Sequence, residues 1–220
     1  MAALCRDAAS VTVLDHHKTA AEEMRGLDTE WGAFVRIDQA HSGAVLAWNH
    51  FNPGRPVPRL LQHVQDRDLW TFSLPNTREI MACVFSHPFA FDCWDRLAGE
   101  VESDSTNILR EGAAIERKHK QELETLLRHD PQFMKLGGYL VPIINLPFTM
   151  ASDAGNLLCT RKVQGVLPPF SGVYYDRPTR RHFSLRSVGD FDVSVIARGY
   201  GGGGHTNAAA FVQPAGWLGD

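Results

Sequence analysis

The first strong apolar signal is the run Val11 to Leu14, continuous and rich in β-branched residues. A run without alternation predicts a parallel strand buried on both faces. It follows Ala2 to Ala9, which reads as the end of a helix, and it stops at Asp15-His16-His17-Lys18. Residues 18–27 (KTAAEEMRGL) are helix-prone, and Ala33 to Ile37 predicts a second strand, closed by Asp38. Ser42 predicts the cap of a helix through Phe51, ended by Pro53-Gly54. Over 57–66, Leu60, Leu61 and Val64 make one apolar stripe, so an amphipathic helix is expected, with Asp66-Arg67-Asp68 following at its end.

From Glu79 to Asp130 the pattern is mostly helical. Its later part, Glu116 to Asp130 (ERKHKQELETLLRHD), is dense in charge and reads as an exposed helix connecting two domains. The texture changes at Pro131. Tyr139 to Leu146 is strand-like, and Ser152 predicts a cap for a helix over Asp153 to Cys159. Gly165 to Tyr175 and His182 to Ser187 predict antiparallel strands around the Arg177-Pro178-Thr179 turn. Val193 to Ala197 and Thr206 to Phe211 each fit a helix or a strand, and they flank the run Gly199-Tyr200-Gly201-Gly202-Gly203-Gly204-His205. No internal repeat is visible.

Composition bounds this picture. A chain of 220 residues, 44% hydrophobic and 21% charged, predicts one large globular domain or two small ones and excludes a disordered, fibrous or coiled-coil protein. Net charge is -3 and the pI near 6.4, so there is no global basic field for a long polyanion. Cys5, Cys83, Cys93 and Cys159 are widely spaced without a C-x-x-C pair, which suggests neither a zinc site nor a disulfide framework. They read as reduced, hence a cytoplasmic setting. MAALCRDAAS lacks the apolar core of a signal peptide, and no run approaches the ~18–20 residues of a membrane span.

Two short motifs carry chemistry. Asp15-His16-His17 combines carboxylate and imidazole at a strand's carboxyl end, where open α/β sheets place their functional groups. The plainer alternative is a satisfied surface pair of histidines. Gly201 to Gly204 expose backbone N–H groups able to cradle an anion, and His205 directly after them can donate to a phosphate. The alternative is a flexible loop. Arg186 on the preceding strand offers a planar phosphate donor.

These motifs, in this order and with a helical connector between them, resemble the DHH phosphoesterase superfamily over essentially the whole chain. The branch resembled is that of two-domain phosphodiesterases with a C-terminal DHH-associated domain, including single-strand exonucleases and small oligoribonucleases. The resemblance implies an α/β fold. A parallel-sheet DHH domain, partial here, would occupy 1–110. A connecting helix at 111–130 would join it to a smaller α/β substrate-binding domain at 131–220. Asp15, His16 and His17 would form the catalytic set: His16 a metal ligand, Asp15 orienting or assisting it, His17 facing the substrate phosphate. Asp66 best matches the family's metal-binding Asp, with Asp68 as runner-up. Arg186, Gly203, Gly204, His205 and Asn207 would bind substrate. The cofactor implied is Mn2+, or Mg2+, in a two-metal site.

One departure stands out. The family's first two motifs, an Asp-rich loop after an N-terminal strand and an Asp at another strand end, lie upstream of the triplet in relatives. This sequence begins just before the triplet. A truncated member with an incomplete two-metal site is therefore expected.

The expected activity is hydrolysis of short single-stranded RNA or DNA, or of small nucleotides, with no membrane partner and with a homodimer as an open option. The rivals are an inactive nucleic-acid or nucleotide binder, and a phosphatase of a small phosphate ester or cyclic dinucleotide. Asp28, Glu30 and Asp38 read as surface charges, while His41-Ser42-Gly43 lies where it could touch substrate. Trp48, Phe51, Trp70 and Phe72 could stack on bases, though aromatics at helical spacing are more often core. His63, His87, His119 and His129 have no partner legible in the sequence.

Overall fold

In the computed structural model, which describes residues 2–163 and 165–220, the chain is mixed α/β and divides into two units, Met1–Gln121 and Glu122–Asp220. In the first unit, α1 (Ala2–Asp7) precedes β1 (Thr12–Asp15), which pairs in parallel with β2 (Phe34–Ile37) from Thr12↔Phe34 to Asp15↔Ile37. Parallel strands need a long crossover, here α2 (Lys18–Glu23) and α3 (Leu27–Trp31). The single helix expected over 18–27 is broken because Gly26 and Gly32 take left-handed φ values of 87° and 65°, bracketing α3. β1 is not buried on both faces: Thr12 is exposed and Val13 and Leu14 are half-buried. The sheet is only two strands wide among the described residues.

Helices supply this unit's core. Ser42 caps α4 (Gly43–Phe51), its Oγ accepting from the Val45 N–H at 3.3 Å. Then come α5 (Arg59–Asp68), α6 (Thr77–Ser86), α7 (Phe91–Ser103) and α8 (Thr106–Leu126). Asp66-Arg67-Asp68 forms the last turn of α5 instead of following it. Apolar residues at helical spacing, Ile80 with Val84 and Leu97 with Val101, meet Leu60, Met81, Cys83 and Ile108 in one buried cluster. Gly112 fixes the approach of α8 to α6, since a Cβ there would fall 1.8 Å from the Glu79 carbonyl oxygen. The stretch 116–130 is not uniformly exposed. Glu116 is buried, with Lys120 at 3.3 Å and Arg78 at 3.8 Å, and Leu123 and Leu127 join the second unit's core.

The second unit is a six-stranded mixed sheet in the order β3-β4-β5-β6-β8-β7. Its strands are β3 (Gln132–Leu136), β4 (Tyr139–Asn145), β5 (Phe170–Arg177), β6 (Arg180–Ser187), β7 (Gly203–His205) and β8 (Ala208–Pro214). The sequence pattern did not announce β3, whose pairing with β4 turns on Gly137 and Gly138 at φ 56° and 85°. The strand expected from Gly165 begins at Phe170, past Pro168-Pro169. Within this sheet, among the described residues, only β4 and β5 pair in parallel, and α9 (Ala151–Thr160) lies in their crossover. Ser152 does not cap α9. It lies within the first turn and accepts from Arg186 Nη2 at 2.8 Å. One core cluster, with Ala154 and Leu158 of α9, also holds Val173. The other joins Leu136, Ile143, Phe170, Phe183 and Phe211 to Val193 and Ala197 of α10 (Val193–Gly199). Phe211 stacks on Phe183 at 4.7 Å and on Tyr200 at 4.6 Å. No helix among the described residues is long and apolar enough to cross a membrane.

Candidate functional site

The carboxyl end of β1 concentrates the first unit's polar chemistry. Asp15 Oδ1 accepts from the backbone N–H of His16 at 2.6 Å and of His17 at 3.1 Å, and pairs with His17 Nδ1 at 2.7 Å. Burial opposes ionisation of Asp15, but these bonds outweigh it and hold its carboxyl below the ordinary carboxylate value. His17, whose Nδ1 faces Asp15, is exposed, while the preceding residue, His16, is buried. His16 Nε2 lies 3.4 Å from Asp68 Oδ2.

The end of β2 repeats the arrangement. The Asp38 N–H donates to the Asp15 carbonyl, and Asp38 Oδ2 pairs with His41 Nδ1 at 2.9 Å. Asp38, expected as a plain surface charge, is thus half of a second Asp–His pair beside the first. The Ser42 N–H donates to Gln65 Oε1 at 3.0 Å, tying this turn to α5.

Asp66 is taken up elsewhere. Its Oδ1 accepts from Thr71 Oγ1 (2.6 Å), Ser73 N–H (2.7 Å) and Ser73 Oγ (3.0 Å), and its Oδ2 from Leu74 N–H (3.1 Å) and Thr77 Oγ1 (2.5 Å). Burial would raise its pKa, yet these donors prevail and hold it far below the carboxylate range. The loop it gathers contains Trp70, Phe72 and Asn76 at φ 58°, 46° and 63°, a left-handed conformation unfavourable for aromatic residues. Arg78 lies over Phe72 at 3.9 Å, and both aromatics are half-buried, whereas Phe51 is exposed. His63 also acquires a partner, Thr77 Oγ1 at 2.9 Å. With its lone pairs occupied, Asp66 does not suit a metal. His16 and Asp68 do, as an imidazole–carboxylate pair fitting one divalent cation.

In the second unit the glycine run is largely structural. The Gly201 and Gly202 N–H groups donate to the Arg198 and Ala197 carbonyls, closing α10. A Cβ at Gly202 would lie 2.0 Å from the Ala210 oxygen, and one at Gly204 2.5 Å from the Ala208 oxygen, so both glycines are required by the approach of β8. Gly203, Gly204 and His205 form β7, the last strand in the sheet order, paired antiparallel with β8. Asn207 ties a loop, its amide donating to Ser187 Oγ at 3.0 Å and the Gly189 carbonyl at 2.9 Å. Arg186 is folded against α9, donating to the Leu185 carbonyl and Ser152 Oγ, both at 2.8 Å. Burial lowers its pKa. The missing side chain of Gly155 makes room for it, since a Cβ there would meet Arg186 Cγ at 2.8 Å.

No family model matches the sequence. It is 32% identical over 210 residues to the uncharacterised protein R106 of Acanthamoeba polyphaga mimivirus, a match covering 90% of this chain and 46% of that protein. The chain therefore spans about half the length of this curated relative. Among solved structures, a pGpG-specific phosphodiesterase from Vibrio cholerae aligns with a TM-score of 0.41 at 11% identity, covering 94% of each chain. An exopolyphosphatase-related protein from Bacteroides fragilis gives 0.44 at 14%, covering 98% of this chain and 69% of that one. A DHH domain described as a member of the s1p family of ribosomal proteins gives 0.43 at 12%, covering 78% and 45%. At these values the likeness is loose.

Proposed function

We propose that the chain carries a DHH-type phosphoesterase site, acting with a divalent cation on short single-stranded oligonucleotides or small nucleotides. The observation that supports this best is the convergence of His16 and Asp68 at the carboxyl end of β1, beside the fixed Asp15–His17 pair. His16 Nε2 and the Asp68 carboxylate would hold the cation. When bound, such a cation serves as a Lewis acid that neutralises charge developing on a phosphoryl group. Asp15, held below the ordinary carboxylate value, fixes the His17 ring through Nδ1, and His17 would face the substrate phosphate. The outer edge of β7 and His205 are the proposed contacts for a substrate phosphate. Arg186 supports α9 in this reading and does not bind phosphate.

The saturation of Asp66 favours one second reading, a nucleotide binder without turnover, because it removes a carboxylate that a two-metal centre would use. One assay separates the two. The protein is incubated with Mn2+ and a labelled dinucleotide. The enzyme reading expects turnover that falls at least ~100-fold in His16→Ala and in Asp68→Ala. Turnover unchanged in both variants sinks it. Binding without turnover, lost in His205→Ala, establishes the binder instead.

A further inference from the structure

The first unit brings together a second set of metal-type donors that the proposed phosphoesterase site does not use. Cys83 lies in the last turn of α6, His87 is the extended residue that ends the helix four positions on, and Glu111 of α8 offers a carboxylate near both. Cys83 Sγ and His87 Nε2 are 4.0 Å apart, and one ligand atom from each of the three residues falls within 4.8 Å of the others. We infer that Cys83, His87 and Glu111 form a zinc site that pins the end of α6 to α8.

Geometry argues first. Tetrahedral zinc, with bonds of about 2.3 Å to sulfur and 2.0 Å to nitrogen, sets the S···N separation at roughly 3.6 Å. The observed 4.0 Å therefore needs only a small contraction. Glu111 is exposed and its long side chain can close the remaining distance by rotation, while Cys83 is fixed in the core. The backbone is already held, because Gly112, next to Glu111, lets α8 approach the α6 main chain.

Chemistry argues next. Thiolate, imidazole and carboxylate together form a borderline-soft set that suits zinc and poorly suits manganese or magnesium. Three protein donors leave one position for water. Without a cation the arrangement is unfavourable for a thiolate. Burial pushes the Cys83 thiol up to about 11, and the Glu111 carboxylate adds to the effect. A bound dication reverses that balance, since it attracts both groups at once. The spacing is a C-x3-H pair, invisible as a site until the helix at 106–126 supplies its acid.

Cobalt provides the test, because a cysteine thiolate bound to Co2+ gives a near-ultraviolet charge-transfer band that nitrogen and oxygen ligands do not. The protein, stripped with EDTA and kept reduced, is titrated with Co2+ and then Zn2+. The expected result is a charge-transfer band saturating at one equivalent and bleached by one equivalent of zinc. Cys83→Ser abolishes the band. Glu111→Gln and His87→Gln, which leave the buried core intact, each weaken Zn2+ binding by more than the ~10–100-fold typical of groups outside the ligand set. His16→Ala leaves the band unchanged, so this site and the phosphoesterase site fail independently. Absence of the band in wild-type protein, or a full-strength band in Cys83→Ser, overturns the inference. If Cys83→Ser does not fold, undiminished Zn2+ affinity in both Glu111→Gln and His87→Gln overturns it equally.

Discussion

The two units treat their chemistry-bearing residues in opposite ways. At the end of β1, Asp15, His17 and Asp68 sit at the surface with the buried His16 among them, and their mutual contacts orient them. In the second unit the equivalent candidates are built into the fold. Gly201 and Gly202 close α10, Gly202 and Gly204 admit β8, Asn207 ties a loop and Arg186 braces α9. The glycine run and the Asp-His-His triplet carry comparable weight as letters. What separates them is whether the neighbouring fold already uses the donors and acceptors that a ligand would need.

The largest effects should therefore come from the second unit, and in stability. Gly202→Ala drives a methyl group to 2.0 Å from a main-chain oxygen of β8, an atom that cannot step aside without breaking the sheet. A loss of at least about 4 kcal/mol is expected, in the range reserved for severe overpacking and strain. Gly201→Ala is the control. Its φ is 78° but nothing lies within 4 Å of the added carbon, so only the left-handed penalty of about 1 kcal/mol applies. Thermal melts of the two variants check this. Equal losses would show that φ, not close approach, fixes the glycines.

Next in size is a pair within the first unit, Asp66 and Asp68. Asp66→Asn puts an N–H2 group in place of one of the two carboxylate oxygens that its donors share, against either the Thr71 and Ser73 donors or the Leu74 N–H and the buried Thr77 hydroxyl, and should destabilise by about 3 kcal/mol. Asp68→Asn, at an exposed residue, should change stability by less than about 0.5 kcal/mol, while under the proposed function it removes a cation ligand and with it the expected turnover. The pH dependence follows from the sign of the shift. Asp66 has a folded-state pKa below its unfolded value, so its contribution is complete above about pH 4 and is lost as pH falls below that. Urea unfolding at pH 6 and pH 3 should show wild type losing stability across this window, and Asp66→Asn losing less. A variant with the same pH slope as wild type would remove Asp66 from the account.

Much of this fold was legible where the determinants are local. The Ser42 cap, the strand over His182 to Ser187 and the turn at Arg177-Pro178-Thr179 lie in their own sequence neighbourhoods and match the structure. The crossover helix failed because Gly26 at φ 87° splits it, a left-handed conformation that glycine adopts freely and that its low helix propensity favours. The placement of Asp15, His16 and His17 at the end of β1 was legible from the strand that ends in them. The hydrogen bonding that takes up Asp66 was not, because its donors come from residues 71–77, in a loop holding two aromatics at positive φ. One signal was available: residues two apart on a helix point to different faces, so both aspartates of one turn cannot serve one site. The glycines misled because the reason for them, β8, lies across a hairpin. Glu111 is 28 positions from Cys83, and no short motif spans that interval.

The smallest predicted effect compares the two units at helix caps. Asp192 caps α10 with Oδ1 accepting from the Ser194 N–H at 2.9 Å and from Ser194 Oγ at 2.5 Å. Ser42 caps α4 through one longer bond of 3.3 Å. A charged acceptor at a helix N-terminus also gains from the macrodipole, which a hydroxyl does not. Asp192→Ala should therefore cost about 1–2 kcal/mol and Ser42→Ala about 0.5 kcal/mol. The difference matters because α10 carries Val193 and Ala197 into the second unit's main core, so fraying it would loosen the turn through which Gly201 and Gly202 close the helix. Hydrogen exchange reads this directly. In Asp192→Ala the amides of Gly201 and Gly202 should lose protection together with those of α10, while Ser42→Ala should leave the β1 end as protected as in wild type. Loss of protection at Gly201 and Gly202 without loss in α10 would mean that β8, and not the helix, holds the glycine run in place.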